Sequence, residues 1–521
     1  MITVRSFFTP PAPPCKGGEL NLTKNRQGII FIFLSCIFFS LFAFGQTKPR
    51  TIVTTDGEID DVDSFIRMLL YANEFKLEGL IYSSSMWHYK GDGKGTQFTS
   101  EREMTRKIYG SKTELRWVGT TWMNDLLDAY EKVYPNLIKH DADYPTTAYL
   151  RSIIRVGNID FEGEMEKVTE GSEFIKNKLL DASTTPIYLQ AWGGSNTIAR
   201  ALKSIEEQYA NTPNWSSIKQ KVSKKAIIYI IMDQDATYEK YIAKNWPAIT
   251  ILMNKWQFAA WAYNWKKQVP APFQYTLEGK FMGDNIINNH GPLTKMYYSY
   301  GDGQKQAGDD EHIHGDITKI KNGQWGSFNQ YDFLSEGDSP AYFHLINVGL
   351  NNLKNPSFGG WGGRFQHEKL NKWTTEGVTD YNNFTAKEDR DFPQSRWIEA
   401  MQLDFAARAD WCVKPFKEAN HPPKIIVKGS NTMIAKPNQK IKINVAISDP
   451  DNNKPTTKFW QYKEAGNAHF ALQINQQSNT EATVTIPSDA QKGNTFHLIA
   501  ETTDNGTPAL TRYQRIIFTV K

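Results

Sequence analysis

Cysteine is scarce in this chain: three among 521 residues, at Cys15, Cys36 and Cys412. Two of them fall within the first 45 residues, so the body carries Cys412 alone. One thiol makes no internal disulfide and no cysteine zinc site, which excludes a disulfide-stapled or zinc-finger scaffold. A marked excess of either charge is also lacking. Sixty Lys and Arg stand against 56 Asp and Glu, for a net +4. Arg5, Lys16, Lys24 and Arg26 against Glu19 give residues 1–45 a net +3, which leaves the body at +1. A nearly neutral body has no electrostatic footprint for nucleic acid, and no nucleic-acid partner is expected. Long apolar runs are few. Ile29–Phe44 holds 16 residues, short of the ~20 that span a bilayer. Preceded by Lys24 and Arg26 and ending in Ala43-Phe44-Gly45, it reads as a secretory signal cleaved before Gln46. Residues 1–45 are therefore expected to be a leader with a signal peptide. The protein is expected to be exported, periplasmic or extracellular, with no membrane contact after cleavage.

What the chain has in quantity is aromatic side chains, 13% of the sequence, with all fifteen tryptophans between Trp87 and Trp460. From Thr51 to about Asn254, β-rich apolar runs alternate with helical spacing. The strand candidates are 51–55, 77–82, 115–119, 186–191, 226–232 and 248–252. Val62, Phe65, Leu69 and Leu70 mark one helix, residues near Phe174–Leu179 a second, and Ile198, Ala201, Leu202 and Ile205 a third. Such alternation predicts an α/β fold with a doubly wound, mostly parallel sheet. After His421-Pro422-Pro423 the texture changes to six or seven short alternating runs within ~100 residues, the pattern of an all-β immunoglobulin-like sandwich. The expected organisation is an α/β domain over 46–353, an extension packing on it over 354–420, and the sandwich over 421–521.

Ligands of doubly wound sheets sit at the carboxyl ends of the strands. There the sequence places Trp87 and His88, then Trp122, then Trp192 and Asn196, then Asp233 and Asp235. Indole faces beside carboxylates and amides suit a sugar-like ligand, with its apolar ring faces and many hydroxyls. The sharpest feature follows the first strand: Asp56-Gly57-Glu58-Ile59-Asp60-Asp61 puts four carboxylates into one strand-to-helix turn. Unpaired and partly buried, they repel one another. A hard cation resolves the repulsion, because calcium takes six to eight oxygen ligands. The helix N-terminus favours Asp60 and Asp61 in any case, but leaves Asp56 unexplained. The His312-x-His314 pair lacks a third metal ligand, and the Asx-rich turn 449–453 is expected to bond its own backbone.

The acidic turn resembles the signature of the inosine–uridine-type nucleoside hydrolases, Asp-x-Asp-Pro-Gly-x-Asp-Asp after a strand. Asp56, Asp60 and Asp61 match its last three acids, Thr54 replaces the first, and Gly57-Glu58 replaces Pro-Gly. Residues 191–197 look like that family's Gly-x-x-Thr-Asn loop, and Glu336-Gly337-Asp338-Ser339-Pro340 like its late His-Asp pair, with Gly337 in place of His. Asp-Gly-Glu-x-Asp-Asp at 56–61, Gly-Glu-Met-Glu at 163–166, Gly-Gly-Trp-Gly-Gly at 359–363 and Asp-Trp-Cys at 410–412 bring the chain nearer to a divergent relative. This is an exported nucleoside-hydrolase-like family of unknown function, sometimes labelled cellulose-binding, with a C-terminal immunoglobulin-like module.

The resemblance implies Ca2+ on Asp56, Asp61, Asp338 and a carbonyl near Gln190–Trp192. It makes Asp56 the base, Asp60 the partner of a sugar hydroxyl, and Glu58 a second acid or a further ligand. Trp87, His88, Trp122, Trp192, Asn196, Asp233 and Asp235 are the expected substrate-binding residues. The implied activity is hydrolysis of an N-glycosyl or related sugar bond with a calcium-held water. The alternative is a non-catalytic carbohydrate-binding protein that uses the same pocket. The partner is a sugar-containing small molecule or oligosaccharide, and assembly into a homo-oligomer is left open.

Overall fold

The computed structural model describes residues 47–309, 313–323 and 325–521, so the leader and His312 lie outside it. Its centre is an eight-stranded sheet. The strands are β1 (Arg50–Thr55), β2 (Lys76–Tyr82), β3 (Ile154–Val156), β4 (Ile187–Ala191), β5 (Ala226–Ile231), β6 (Thr250–Asn254), β7 (Gln366–Lys369) and β8 (Lys372–Thr374). They lie in the order β3-β2-β1-β4-β5-β6-β8-β7, parallel throughout except for the β8–β7 hairpin at one edge.

β1, at the middle, is buried along its whole length. Neighbouring side chains leave its two faces alternately. Ile52 packs with Ile175, Leu179, Ile198 and Leu202, from helices α3 (Glu170–Leu180) and α4 (Asn196–Tyr209). Val53 packs on the other face with Phe65, Ile66 and Leu69 of α1 (Ile59–Leu70), beside Leu126 and Tyr130 of α2 (Trp122–His140). The threonines in this strand bury without penalty because their hydroxyls reach neighbouring carbonyls. Thr51 donates to the Tyr188 carbonyl at 2.9 Å and Thr54 to that of Gln190 at 3.1 Å.

One expected strand is absent. Residues 115–119 are a loop that touches Tyr89 only through Leu115. Arg116 and Gly119 both have positive φ, at 44° and 85°, which no strand accommodates. The sheet edge beside β2 is formed by β3, a strand the sequence pattern does not announce. Among the described residues, no helix is long and apolar enough to cross a membrane.

Beyond the sheet, α5 (Trp215–Lys225) leads into β5, and α6 (Ile398–Trp411) packs against α1. Residues 424–520 form two four-stranded sheets. One holds Lys424–Val427, Lys440–Ser448, Glu481–Thr485 and Gln473–Ser478, the other Thr432–Ala435, Thr511–Val520, Thr495–Thr503 and Thr456–Gln461. Their inner faces share a separate core of Ile443, Val445, Val484, Leu498, Ile516 and Phe518. The sequence pattern omits Thr432–Ala435 and Gln473–Ser478, whose residues are mostly exposed and carry little apolar alternation.

Candidate active site

The site begins where β1 ends. Gly57 turns the chain with φ of 80°, and a Cβ there would stand 2.6 Å from Val118 and 2.9 Å from the Trp122 indole nitrogen. Only glycine serves both demands. α1 then starts at Ile59, which sets Asp60 and Asp61 in its first turn, where the helix dipole favours carboxylates. Asp61 is buried and accepts a hydrogen bond from the Thr55 hydroxyl. Asp338 arrives from the far end of the body, just before the short helix Pro340–Phe343, and is 3% exposed.

Asp60, Asp61 and Asp338 each bring one carboxylate oxygen within 4.8 Å of the others. Asp56 stands beside this triad, with its charge felt by all three acids. Among the described residues, no Lys, Arg or His pairs with any of the four. Two of their buried oxygens, Asp56 Oδ2 and Asp60 Oδ1, have no hydrogen-bond partner, and neither has the Trp122 indole N–H at the same turn.

Burial raises the proton affinity of every member, and repulsion between the acids adds to it at Asp60, Asp61 and Asp338. Asp60 is pushed up to about 6, first by burial and then by the charge of Asp56. Asp61 and Asp338 are held well above the usual carboxylate range, by burial and then by Asp338 and Asp60 respectively. Burial also raises Asp56, although hydrogen bonds from Ser85 and Asp61 oppose it. A cluster of oxygen donors that repel one another and lack a protein cation matches what a hard divalent ion requires.

Close backbone approach frames the pocket. A Cβ at Gly193 would lie 2.6 Å from the Asp56 carboxyl carbon, and one at Gly194 would lie 2.4 Å from Asp235. At Gly337 a Cβ would lie 2.8 Å from Asp60 Oδ2, so glycine there lets the two segments meet. Glu58, in the acidic turn, is half-buried. The Tyr263 hydroxyl donates to it at 3.4 Å, and Arg116, itself paired with Asp309 at 2.7 Å, stands 3.9 Å away. Tyr263 stacks on the exposed Trp325 at 5.7 Å.

The remaining expected residues fall into two sets. Trp87 and Trp122 are half-buried, and Trp122 stands edge-on to Phe65 and Tyr82. Trp192, His88, Asn196 and Asp235 are buried. The Trp192 indole donates to Gln190 at 3.0 Å. Asn196 donates its amide to Ser84 and to the Asn158 carbonyl, while Asp235 accepts from the Asn196 backbone at 2.8 Å at the start of α4. The Gln190 and Trp192 carbonyls accept from Thr54 and Gln234. Asp233 pairs with Arg102 at 3.0 Å, and burial, then Asp235, pushes it up to about 7.

Sequence reasoning missed Arg116 and Tyr263, the first because its loop reads as a strand. It also missed Glu162, a buried acid that burial raises to about 7 against the opposing hydrogen bond of Ser100, with the charge of Asp235 adding to the rise. The adjoining Gly163–Glu166 marker was its only signal. His314 is buried edge-on to Tyr298 at 5.7 Å.

Comparison with known proteins agrees with this picture. No curated protein matches the chain. Among solved structures, a nucleoside hydrolase-related protein from Saccharophagus degradans, associated with carbohydrate metabolism, aligns over 91% of this chain and 100% of its own, at 26% identity and a TM-score of 0.66. A plant nucleoside hydrolase aligns more remotely, over 71% of this chain and 100% of its own, at 11% identity and a TM-score of 0.31. The family profile of the C-terminal domain of cellulose-binding protein Sde0182 matches residues 440–520. That of the nucleoside hydrolase-like domain of cellulose-binding Sde182 matches residues 50–365, well over half of the chain. The chain therefore belongs to the cellulose-binding Sde182 family, with its nucleoside hydrolase-like domain.

Proposed function

We propose that the protein is an exported, calcium-dependent hydrolase that cleaves a glycosidic bond, N-glycosyl or a related sugar linkage. The observation that carries this reading is the convergence of Asp60, Asp61 and Asp338 within 4.8 Å, in a buried setting where mutual repulsion raises the proton affinity of all three. A calcium ion held by these three, with Asp60 standing where the resemblance implied Asp56, would supply charge compensation and a Lewis-acid contact for hydroxyls and water.

The chain's own groups carry the rest. Asp56 has a buried oxygen without a hydrogen-bond partner and is the residue to take the proton of the attacking water. As the bond to the anomeric carbon breaks, positive charge grows on the sugar, and the surrounding acids stabilise it. Trp122 offers a free indole N–H and a ring edge for the sugar, and Glu58 accepts from one of its hydroxyls. Trp87 extends the apolar rim. The buried set Trp192, His88, Asn196 and Asp235 holds these groups in place, with Asp233 farther along the rim. The domain boundaries proposed are 46–353, 354–420 and 421–521, behind a cleaved leader over 1–45.

The test is product release from nucleosides and from plant and microbial oligosaccharides, with calcium and with chelator. Calcium-dependent release that disappears in Asp56→Ala is expected. Sugar binding without any release, with calcium present, ends the hydrolase reading. The family's cellulose-binding description favours that second reading, a non-catalytic sugar binder built on the same pocket.

A further inference from the structure

A cavity of about 990 Å³, lined by none of the acidic-turn residues, opens between residues 379–403 and the sandwich strands Thr456–Gln461 and Thr495–Thr503. Its volume is that of a ligand site. Seven aromatic side chains line it. Two of them, Tyr381 and Phe384, are 46% and 48% exposed, an unusual state for rings that share a concave surface. Trp460 is half-buried at the sandwich side, 6.1 Å from Trp397.

The charge of the lining is as informative as its rings. It holds four basic and four acidic side chains, so it carries no net charge. Most of them are also engaged. Arg364 and Arg396 share Asp380 at 2.7 and 3.0 Å, Glu501 accepts the Trp460 indole N–H at 2.8 Å, and Glu399 accepts the Tyr275 hydroxyl at 2.9 Å. A wall of this kind offers ring faces and fixed hydrogen-bonding groups but no field for an ion. A ligand that satisfies it has apolar faces, many hydroxyls and no charge.

We infer that this cleft is a second saccharide site, one that takes a neutral oligosaccharide chain and works independently of the acidic pocket. Stacking on Tyr381, Phe384 and Trp460 supplies the contact area, and the paired side chains between them read the hydroxyls. Because the cleft shares no residue with the acidic pocket, its occupancy needs no divalent ion. It would hold a polymer on the protein while a different stretch of chain, or nothing at all, enters the pocket.

The experiment is titration calorimetry of the mature full-length protein with cellohexaose, xylohexaose and laminarihexaose, in the presence of EDTA. The expected result is binding of at least one of them, weakened about tenfold in Tyr381→Ala and in Phe384→Ala and unchanged in Trp122→Ala and Asp338→Asn. Tyr381 and Phe384 are exposed, so their loss leaves folding intact; Trp460→Ala is read only if its thermal midpoint matches wild type. No binding of any of the three, or binding weakened by Trp122→Ala and not by the cleft variants, overturns the inference. So does preferential, salt-sensitive binding of an oligogalacturonate. Failure of the hydrolase reading is registered separately, by the absence of product.

Discussion

Two buried clusters of acids in this molecule have opposite electrostatic fates. In the acidic pocket, Asp60, Asp61 and Asp338 crowd together and their proton affinities rise. In the seam between the body and the sandwich, Asp404 is equally buried, and its carboxyl is nevertheless held below its ordinary range. Burial pushes both upward. At Asp404 the guanidinium of Arg512, at 2.7 Å, and that of Arg408, at 3.1 Å, overcome it, helped by the Tyr71 hydroxyl. Arg515, fully buried in the same seam, spends its donors on the carbonyls of Leu350, Phe358 and Gly359. Asp404 is balanced from within the protein, whereas the acids of the pocket have no ion-paired cation among the described residues.

The largest expected effect tests the seam. Ending the chain at residue 420 removes Arg512 and Arg515 together, and the remaining body should still unfold cooperatively in urea, with stability lower by roughly 5 kcal/mol, a large part of a domain's net total. A non-cooperative transition would show that residues 421–521 belong to the same core. Asp404→Ala should cost about 3–5 kcal/mol by the same measurement, because the buried guanidinium of Arg408 and the half-buried one of Arg512 lose their carboxylate. A loss below 1 kcal/mol would mean that water reaches the seam.

The pocket should respond in the other direction. Calcium at a hundredfold excess over its Kd should stabilise wild type by ~2.7 kcal/mol. Asp338→Asn should lose that response yet gain on the order of 1 kcal/mol in chelator, as one repelling charge goes. An equal calcium response in both proteins would remove Asp338 from the ligand set.

The two clusters also set opposite slopes with pH. Asp60, raised to about 6 in the fold, binds its proton more tightly than in the unfolded chain. Without divalent ions, stability should therefore fall as pH rises from ~4 through 6. Asp404, whose folded pKa is lowered, contributes stability that is present above ~4 and lost as pH falls below it. Thermal midpoints in chelator should thus peak near pH 4–5, and calcium should flatten the neutral limb. A midpoint that climbs steadily to pH 7 in chelator contradicts the raised proton affinity of Asp60. The smallest change is Trp122→Phe, which keeps the ring and removes its N–H. Sugar affinity in the pocket should drop about fivefold, the ~1 kcal/mol of one hydrogen bond, with little change in turnover.

Much of the architecture was legible in the sequence because it follows local periodicity. The apolar runs at 51–55, 187–191 and 226–231 and the helical spacing from Val62 to Leu70 need no tertiary information. The loop at 115–119 was misread because alternation of Leu115, Trp117 and Gly119 imitates a strand, while the positive φ of Arg116 is not written in its residue type. Within the site, the strand-end turn at 56–61 announced itself by charge alone. That Glu58 meets Arg116 and Tyr263, or that Gly337 lies against Asp60, depends on contacts between distant segments that no spacing encodes. The same holds for the seam, where Asp404 and Arg512 come from runs with no shared pattern.

The meeting of Asp61 with Asp338 has a consequence for how the molecule is held together. The two acids close a loop of roughly 280 residues, and the constraint that a bridge places on the unfolded chain grows, slowly, with loop length. A cation captured between them ties the first helix to the last part of the body, as a disulfide would. Among the described residues Cys412 is the one cysteine, buried and free, so an ion held there would provide a cross-link that no disulfide does. It would be a reversible one, and it could form only once the chain has been made as far as Asp338, so ion binding would report that the first helix and this later segment have met.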